Sequence, residues 1–406
     1  MCAGAAYLRC RQTARVFPAT HPCKSLEWSS LKNRVARLCG PTADSETNGC
    51  PCRESSHRRL LLPKTVLRRH AIVLPRLRLR ARLLASILLV IIASPATALA
   101  VAVDKYPELQ DFIDSMVQKH GFSERGLEGL FTKARIRQDI IRSIETPKEA
   151  SPWYEYRKLF VTRQSAERGR HFWQANANAL SRARREYGVD PATIVAIIGV
   201  ETQYGRNTGK YRVLDALTTL TLKHPPRSEF FRGELEAYLL LTRELEIKPL
   251  KLRGSYAGAM GVPQFIPTSY RQYAIDFDGD GSRDIIGSVA DAIGSVANFL
   301  KAHGWQKEGA VIQRLELAEE LVAWLEQIRG TPMPPLRYLL GYGILPIPYN
   351  AGDSSAGLVR LESESGPAYH LGYNNFYVIT RYNRSRNYAM AVFELSEWIR
   401  RLYDAG

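Results

Sequence analysis

Residues 190–209, DPATIVAIIGVETQYGRNTG, constrain this chain more than any other stretch. Asp190 and Pro191 read as an N-cap and first-turn pair, and Gly205 reads as the stop. Between them Ile194, Ile197 and Ile198 recur at helical spacing, and Glu201 falls on the same stripe. A carboxylate on an apolar stripe needs a reason. Desolvation favours its protonated form and raises its pKa, which keeps a carboxylic acid at hand near neutral pH. The plainer alternative puts Glu201 at the helix end, in an ion pair with Arg206 or Arg212.

The formal net charge of +16 over 406 residues suggests a nucleic-acid partner until it is located. Residues 1–100 carry 17 Lys and Arg against four Asp and Glu, leaving 39 against 36 in residues 101–406. The basic excess belongs to a leader, so no nucleic acid is expected. Arg76, Arg78, Arg80 and Arg82 form a positive n-region, and residues 83–93 (LLASILLVIIA) are an apolar run too short to span a bilayer. Ala98-Leu99-Ala100 supplies an A-x-A site, so residues 66–100 read as a signal peptide cleaved after Ala100. All six cysteines precede that site, Cys52 being the last. The exported part therefore has no disulfide framework and no Cys-based site. Without a cysteine at the new terminus it has no lipid anchor, and it reads as soluble. Residues 1–65 are Arg-rich and aperiodic. They read as a start assigned too early, translation beginning near Val66 or Val73, or else as a disordered extension.

The exported chain is mostly helical by pattern. Helices are expected at residues 107–119 and after Ser123, then around Ile140, Ile141 and Ile144, and over 163–187 as one long element closed by Gly188. An aromatic, basic stretch (WYEYRKLF, 153–160) precedes the long helix. After the Glu201 helix come segments around Leu214 and Leu217, over 230–245, and over 315–328. Residues 252–264 (LRGSYAGAMGVPQ) are too rich in small residues for a packed helix, and their glycines allow close backbone approach. A proline-rich linker follows at 331–348. Short strands are expected at 358–362, 368–371 and 376–381, and a last helix at 389–402. The fold class is mainly α (α+β). The regions are an N-terminal helical part (101–188), a core (189–310), a helix, linker and β insert (311–375), and a closing strand and helix (376–406).

Residues 276–284 read DFDGDGSRD. Asp276, Asp278 and Asp280 take the first, third and fifth positions of an EF-hand loop, Gly281 the sixth, and the Ser282 carbonyl the seventh. Alternating hard oxygens on a tight turn suit Ca²⁺. The twelfth position is Gly287 rather than Glu, so a longer loop closing on Asp291 is needed to restore the ligand count. The alternative is an acidic turn in which Asp291 serves a capping box with Ser288. The neighbouring apolar residues read as core faces, which suits a structural clamp better than a sensor.

GRNTGK (205–210) is one residue short of a P-loop and follows a helix, so it is discarded. The five exported histidines share no metal spacing, and neither H-E-x-x-H nor G-x-S-x-G occurs. What remains is one candidate acid and 19 of the chain's 20 tyrosines. Amphipathic rings with hydroxyl tips suit sugars, and with a buried glutamic acid they compose a glycosidic-bond enzyme.

Four stretches carry a family resemblance: GVETQYGRNTGKYRVLDALTTL (199–220), SYAGAMGVPQFIPTSYRQYAIDFDGDG (255–281), ADAIGSVANFLKAHGW (290–305) and NFYVITRYNRSRNYAMAV (375–392). In consistent order they resemble the membrane-bound type B lytic murein transglycosylases, soluble forms included. The resemblance implies a lysozyme-like core with an α-helical domain and a small β-rich domain. It implies Glu201 as the single catalytic acid/base, and structural Ca²⁺ on Asp276, Asp278, Asp280, Ser282 and Asp291. It places Ser255, Gln264, Tyr382, Asn383, Tyr388 and Tyr156 along a glycan groove. Phe299 stands where a groove tyrosine is expected.

The implied substrate is peptidoglycan in the periplasm. Glu201 would protonate the MurNAc–GlcNAc β-1,4 oxygen, then act as base on the MurNAc C6 hydroxyl, which closes onto C1 as a 1,6-anhydro ring. The substrate supplies the nucleophile, so one carboxylate suffices where ordinary glycosidases need two. The competing readings are a hydrolytic muramidase on the same fold, a non-catalytic peptidoglycan-binding protein held by Ca²⁺, and a calcium sensor.

Overall fold

The computed structural model describes residues 99–100, 103–146, 151–327 and 356–406. The expected leader up to residue 98 and the 331–348 linker lie outside the described residues. Strand β1 (Leu99–Ala100) pairs antiparallel with β2 (Arg135–Ile136), which lies beyond two helices. The first, α1 (Pro107–His120), buries Leu109, Phe112, Ile113 and Met116 on one face and ends at Gly121 with φ 64°. Ser123 then caps α2 (Glu124–Phe131), its Oγ accepting the Gly126 N–H.

After β2 come α3 (Gln138–Glu145) and α4 (Trp153–Phe160). The long helix expected over 163–187 is two helices, α5 (Arg163–Ala175) and α6 (Ala177–Tyr187). Asn176 separates them at φ −121°, and its side-chain amide donates to the Phe172 carbonyl at 2.8 Å. Asparagine competes for backbone acceptors in this way, and the apolar period runs through the break without marking it.

Helix α7 (Pro191–Thr202) is the axis of the fold. Asp190 caps it through the Ala192 N–H, and every residue from Pro191 to Val200 is buried. The expected single stripe is thus a helix apolar on all sides, as a core helix must be when neighbours cover its whole circumference. It packs against α5 and α6 and against two later helices. It stops at Thr202 rather than Gly205, because Gln203 and Tyr204 already turn to φ 51° and 63°. The Tyr204 ring folds back beneath the helix, where its hydroxyl donates to the Ser165 carbonyl at 2.7 Å. Glycine makes that space: a Cβ at Gly199 would lie 2.6 Å, and one at Gly169 2.7 Å, from the same hydroxyl.

Strand β3 (Tyr211–Arg212) leads into α8 (Val213–Lys223) and α9 (Ser228–Glu244), and β4 (Arg253–Gly254) returns to pair with β3. Next come α10 (Pro267–Tyr273) and α11 (Val289–Ala302), with the acidic loop between them. Strand β5 (Ile312–Arg314) precedes α12 (Glu319–Gln327), which begins four residues later than the helix expected over 315–328. Strands β6 (Gly357–Ser363) and β7 (Gly366–Gly372) form a hairpin, and the sheet order is β5-β7-β6, all antiparallel. Leu325, Leu358 and Tyr369 make a small cluster of their own beside the main core.

The strand expected at 376–381 is instead helix α13 (Asn374–Tyr382), followed by α14 (Arg386–Asp404). Val378, Ile379 and Thr380 favour strand by propensity, but tertiary packing overrides them. Asn375, fully buried, accepts the Gln306 N–H and donates to the Gln306 and Gly309 carbonyls, tying the start of α13 to the loop that follows α11. Phe376 and Ile379 then bury one helical face.

Candidate active site

Glu201 is the penultimate residue of α7, so eleven helical residues packed into the core hold it in place. Its side chain is half-buried, and Oε1 accepts a 2.7 Å hydrogen bond from the Tyr388 hydroxyl. Arg212 turns to Asp215 at 2.8 Å, and Arg206 is exposed.

Tyr388 lies in the first turn of α14, where Ser385 Oγ accepts its N–H. Tyr382 ends α13, and its hydroxyl donates to the Pro263 carbonyl at 2.6 Å. The two rings stack at 6.4 Å and 10°. Burial, with the nearby Glu201 charge adding to it, pushes both phenols well above their ordinary pKa. They remain protonated donors at any pH near neutral. Tyr156 is 1% exposed and Tyr388 2%, so neither ring can serve as a stacking platform for a sugar in this conformation. Tyr156 packs on Phe160 and adds to the rise at Tyr388.

The facing wall is the small-residue segment 252–264. Ser255 Oγ accepts the Ala257 and Ala259 N–H groups, and Gln264, at φ 53°, donates from Nε2 to the Thr208 and Gly261 carbonyls. In this state both polar side chains fasten the wall. Asn383 is half-buried between α13 and α14. Phe299 is 5% exposed, stacked on His303 at 4.1 Å and 4.9 Å from the Tyr382 ring, so it supports Tyr382 from behind. The sequence reading missed Thr202. Its buried hydroxyl donates to the Val262 carbonyl at 2.9 Å and accepts the Gly205 N–H, locking the wall to the Glu201 turn. A threonine inside an otherwise apolar helix end was the signal.

The acidic loop brings together one carboxylate oxygen from each of Asp276, Asp278 and Asp291, all within 4.8 Å of one another. Asp291 is fully buried and accepts N–H bonds from Phe277, Asp278 and Asp284. Its own N–H goes to Ser288 Oγ, so capping and loop closure occur together. Asp276 accepts from Gly279 and Gly281, whose φ values of 83° and 90° make the tight turn. Asp280 is exposed and accepts the Ser282 N–H. Three converging carboxylates repel unless a cation joins them, and an all-oxygen donor set fits Ca²⁺.

The sequence model of the family described as transglycosylase SLT domain matches residues 104–397. The chain belongs to the transglycosylase SLT family. Within it, the chain is similar to the membrane-bound lytic murein transglycosylase B of Escherichia coli K12, at 43% identity over 306 residues, covering 72% of this chain and 82% of that one. The structure of the E. coli lytic transglycosylase Slt35 in complex with calcium is 40% identical, with TM-score 0.67 over 76% of this chain and 97% of that one. SltB3 of Pseudomonas aeruginosa, in complex with NAG-anhNAM-pentapeptide, is 30% identical, with TM-score 0.62 over 72% and 79% of the two chains. Among the described residues of this family member, no helix is long and apolar enough to cross a membrane.

Proposed function

We propose that the chain is a lytic transglycosylase of peptidoglycan, cleaving the MurNAc–GlcNAc β-1,4 bond and leaving 1,6-anhydro-MurNAc ends. The observation that carries this is the Glu201–Tyr388 hydrogen bond at the end of a buried helix. Among the described residues, Glu201 is the one carboxylate whose charge bears on both Tyr382 and Tyr388. A lone carboxyl held by a phenol that stays protonated suits a group that gives a proton and then takes one back. Glu201 donates to the glycosidic oxygen, then accepts from the MurNAc C6 hydroxyl as it closes onto C1. Tyr388 fixes the rotation of the carboxyl group, and the substrate's N-acetyl group with nearby polar side chains stabilises the oxocarbenium-like state. Ser255, Gln264, Tyr382, Asn383 and Tyr156 shape the groove.

Asp276, Asp278, Asp280, the Ser282 carbonyl and Asp291 would hold Ca²⁺, whose charge would neutralise the loop and brace α10 against α11. The protein is exported to the periplasm and released by cleavage after Ala100. That cut removes β1, a two-residue pairing, and leaves α1 onward intact.

Glu201→Gln is expected to abolish release of anhydro-muropeptides from sacculi while far-UV circular dichroism and melting stay unchanged. Mass spectrometry of the wild-type digest separates the hydrolytic reading by one water per new end. Lysis by the variant at the wild-type rate sinks the assignment.

A further inference from the structure

A basic surface is built where β2, β3 and β4 come together. Arg212 and Arg253 are cross-strand partners in the β3–β4 pair, and like charges directly opposite one another cost stability. Asp215 relieves only part of that cost. It accepts from Arg212 at 2.8 Å and from the Arg135 N–H at 3.1 Å, which brings β2 alongside β3. Arg212 also donates to the Lys133 carbonyl, and Arg253 to the Lys210 carbonyl. In the middle, the Tyr211 ring has the Arg137 guanidinium at 5.4 Å and the Lys210 ammonium at 5.3 Å. Asp139 neutralises Arg137, as Asp215 does Arg212. Lys133, Arg135, Lys210 and Arg253 are exposed, and among the described residues none of them makes an ion pair.

The chain enters the fold at this same surface. Ala100 is the register partner of Arg135, and Leu99 of Ile136. In the sequence, the apolar run of residues 83–93 ends five residues before β1, a reach of about 20 Å at full extension. On the export reading that run lies in the bilayer while the leader is attached, so the basic surface is brought up to the phospholipid headgroups. A tyrosine held between cations suits that boundary, its ring amphipathic and its neighbours attracted to phosphate.

We propose that this patch keeps the exported protein on anionic phospholipid at the membrane surface, reversibly and by charge, after the leader has been cut away. The proposal rests on the export reading above and not on the chemistry of Glu201. Each basic residue near an anionic bilayer strengthens attachment about fivefold, so four unpaired ones together are enough to hold a protein at low salt. A polyanionic wall polymer would attract the same cations. The entry of the chain beside Arg135 is what favours the bilayer.

The test is cosedimentation of the protein recovered from the periplasm with vesicles of phosphatidylcholine, alone or mixed with phosphatidylglycerol. Binding to the anionic vesicles is expected to exceed binding to the neutral ones by about a hundredfold or more at low salt, and to fall steadily as salt is added. Lys133→Gln, Arg135→Gln, Lys210→Gln and Arg253→Gln together should reduce it to the neutral value. Exchanging Lys for Arg and Arg for Lys at the four positions should preserve it, because the bilayer field acts on charge. If the fourfold Gln variant does not fold, Lys133→Gln with Lys210→Gln alone should still weaken binding by about twentyfold. Equal binding to both kinds of vesicle, or full binding by the Gln variants, overturns the proposal. So does a loss confined to isolated sacculi, which would assign the patch to the wall. Release of anhydro-muropeptides from isolated sacculi, where no bilayer is present, should be the same for wild type and variants. An enzyme that releases none would therefore refute the cleavage reading and leave the vesicle result standing.

Discussion

At residue scale the site depends on how one carboxyl group is held. The Tyr388 hydroxyl is 2.7 Å from Glu201 Oε1 and enclosed in the core, so it orients the carboxyl without ionising. Tyr388→Phe keeps the ring and its stacking on Tyr382 but frees the carboxyl to rotate. Turnover on sacculi is expected to fall about tenfold to a hundredfold, with melting shifted by only a few degrees. A rate equal to wild type would show that Tyr388 has no part in positioning Glu201. Glu201 and the tyrosines of residues 375–392 were legible as residue types in a recognisable run. Their mutual distances were not, because 187 positions separate Glu201 from Tyr388.

Among the elements, the close approach of α5, α7 and α14 depends on glycine. At Gly199 a methyl group would gain helix propensity of up to about 1 kcal/mol. It would also stand 2.6 Å from the Tyr204 hydroxyl, with that ring held at 5.6 Å from Phe172 and by Ser165. Overpacking of this kind costs about 1–3 kcal/mol, so the strain wins. Gly199→Ala is expected to lower unfolding free energy in urea by about 1–2 kcal/mol, and no loss of stability would mean the ring has room to move. The acidic loop makes a second prediction. Saturating Ca²⁺ at a hundred times its Kd adds about 2.7 kcal/mol. Chelation should therefore lower the melting temperature by about 5 °C or more, while altering turnover of the folded enzyme less. Asp278→Asn should remove that difference, and identical melting with and without EDTA would count against the site. Element boundaries explain what the pattern could not show. Asn176 splits α5 from α6 by a side-chain bond to Phe172, and residues 376–381 become helix because buried Asn375 holds their start.

For the whole molecule, charge and burial are distributed in ways that pH can test. His370 on β7 is buried, and desolvation, with Arg314 opposite it on β5 adding to the effect, lowers its pKa to about 4. Unfolded, it titrates near 6.5, so between these values the unfolded chain binds more protons. The contribution is fully present above about pH 6.5 and is lost as pH falls toward 4, by up to about 3 kcal/mol. Stability measured by denaturant should fall over that window, and His370→Phe should flatten the fall. An unchanged acid limb in the variant would place its cause elsewhere.

Short-range chemistry was readable directly. The caps at Asp190 and Ser123, the stop at Gly188 and the spacing of the acidic loop each depend on neighbours in the chain, so their residue types declare them. Tertiary structure alone decided that α7 is covered on every side and that the Tyr388 hydroxyl meets Glu201. It also decided that Gln264 reaches the Thr208 carbonyl and Thr202 the Val262 carbonyl, fastening the wall. Those outcomes depend on which distant segments meet, and the free energy of such contacts is absent from any local pattern.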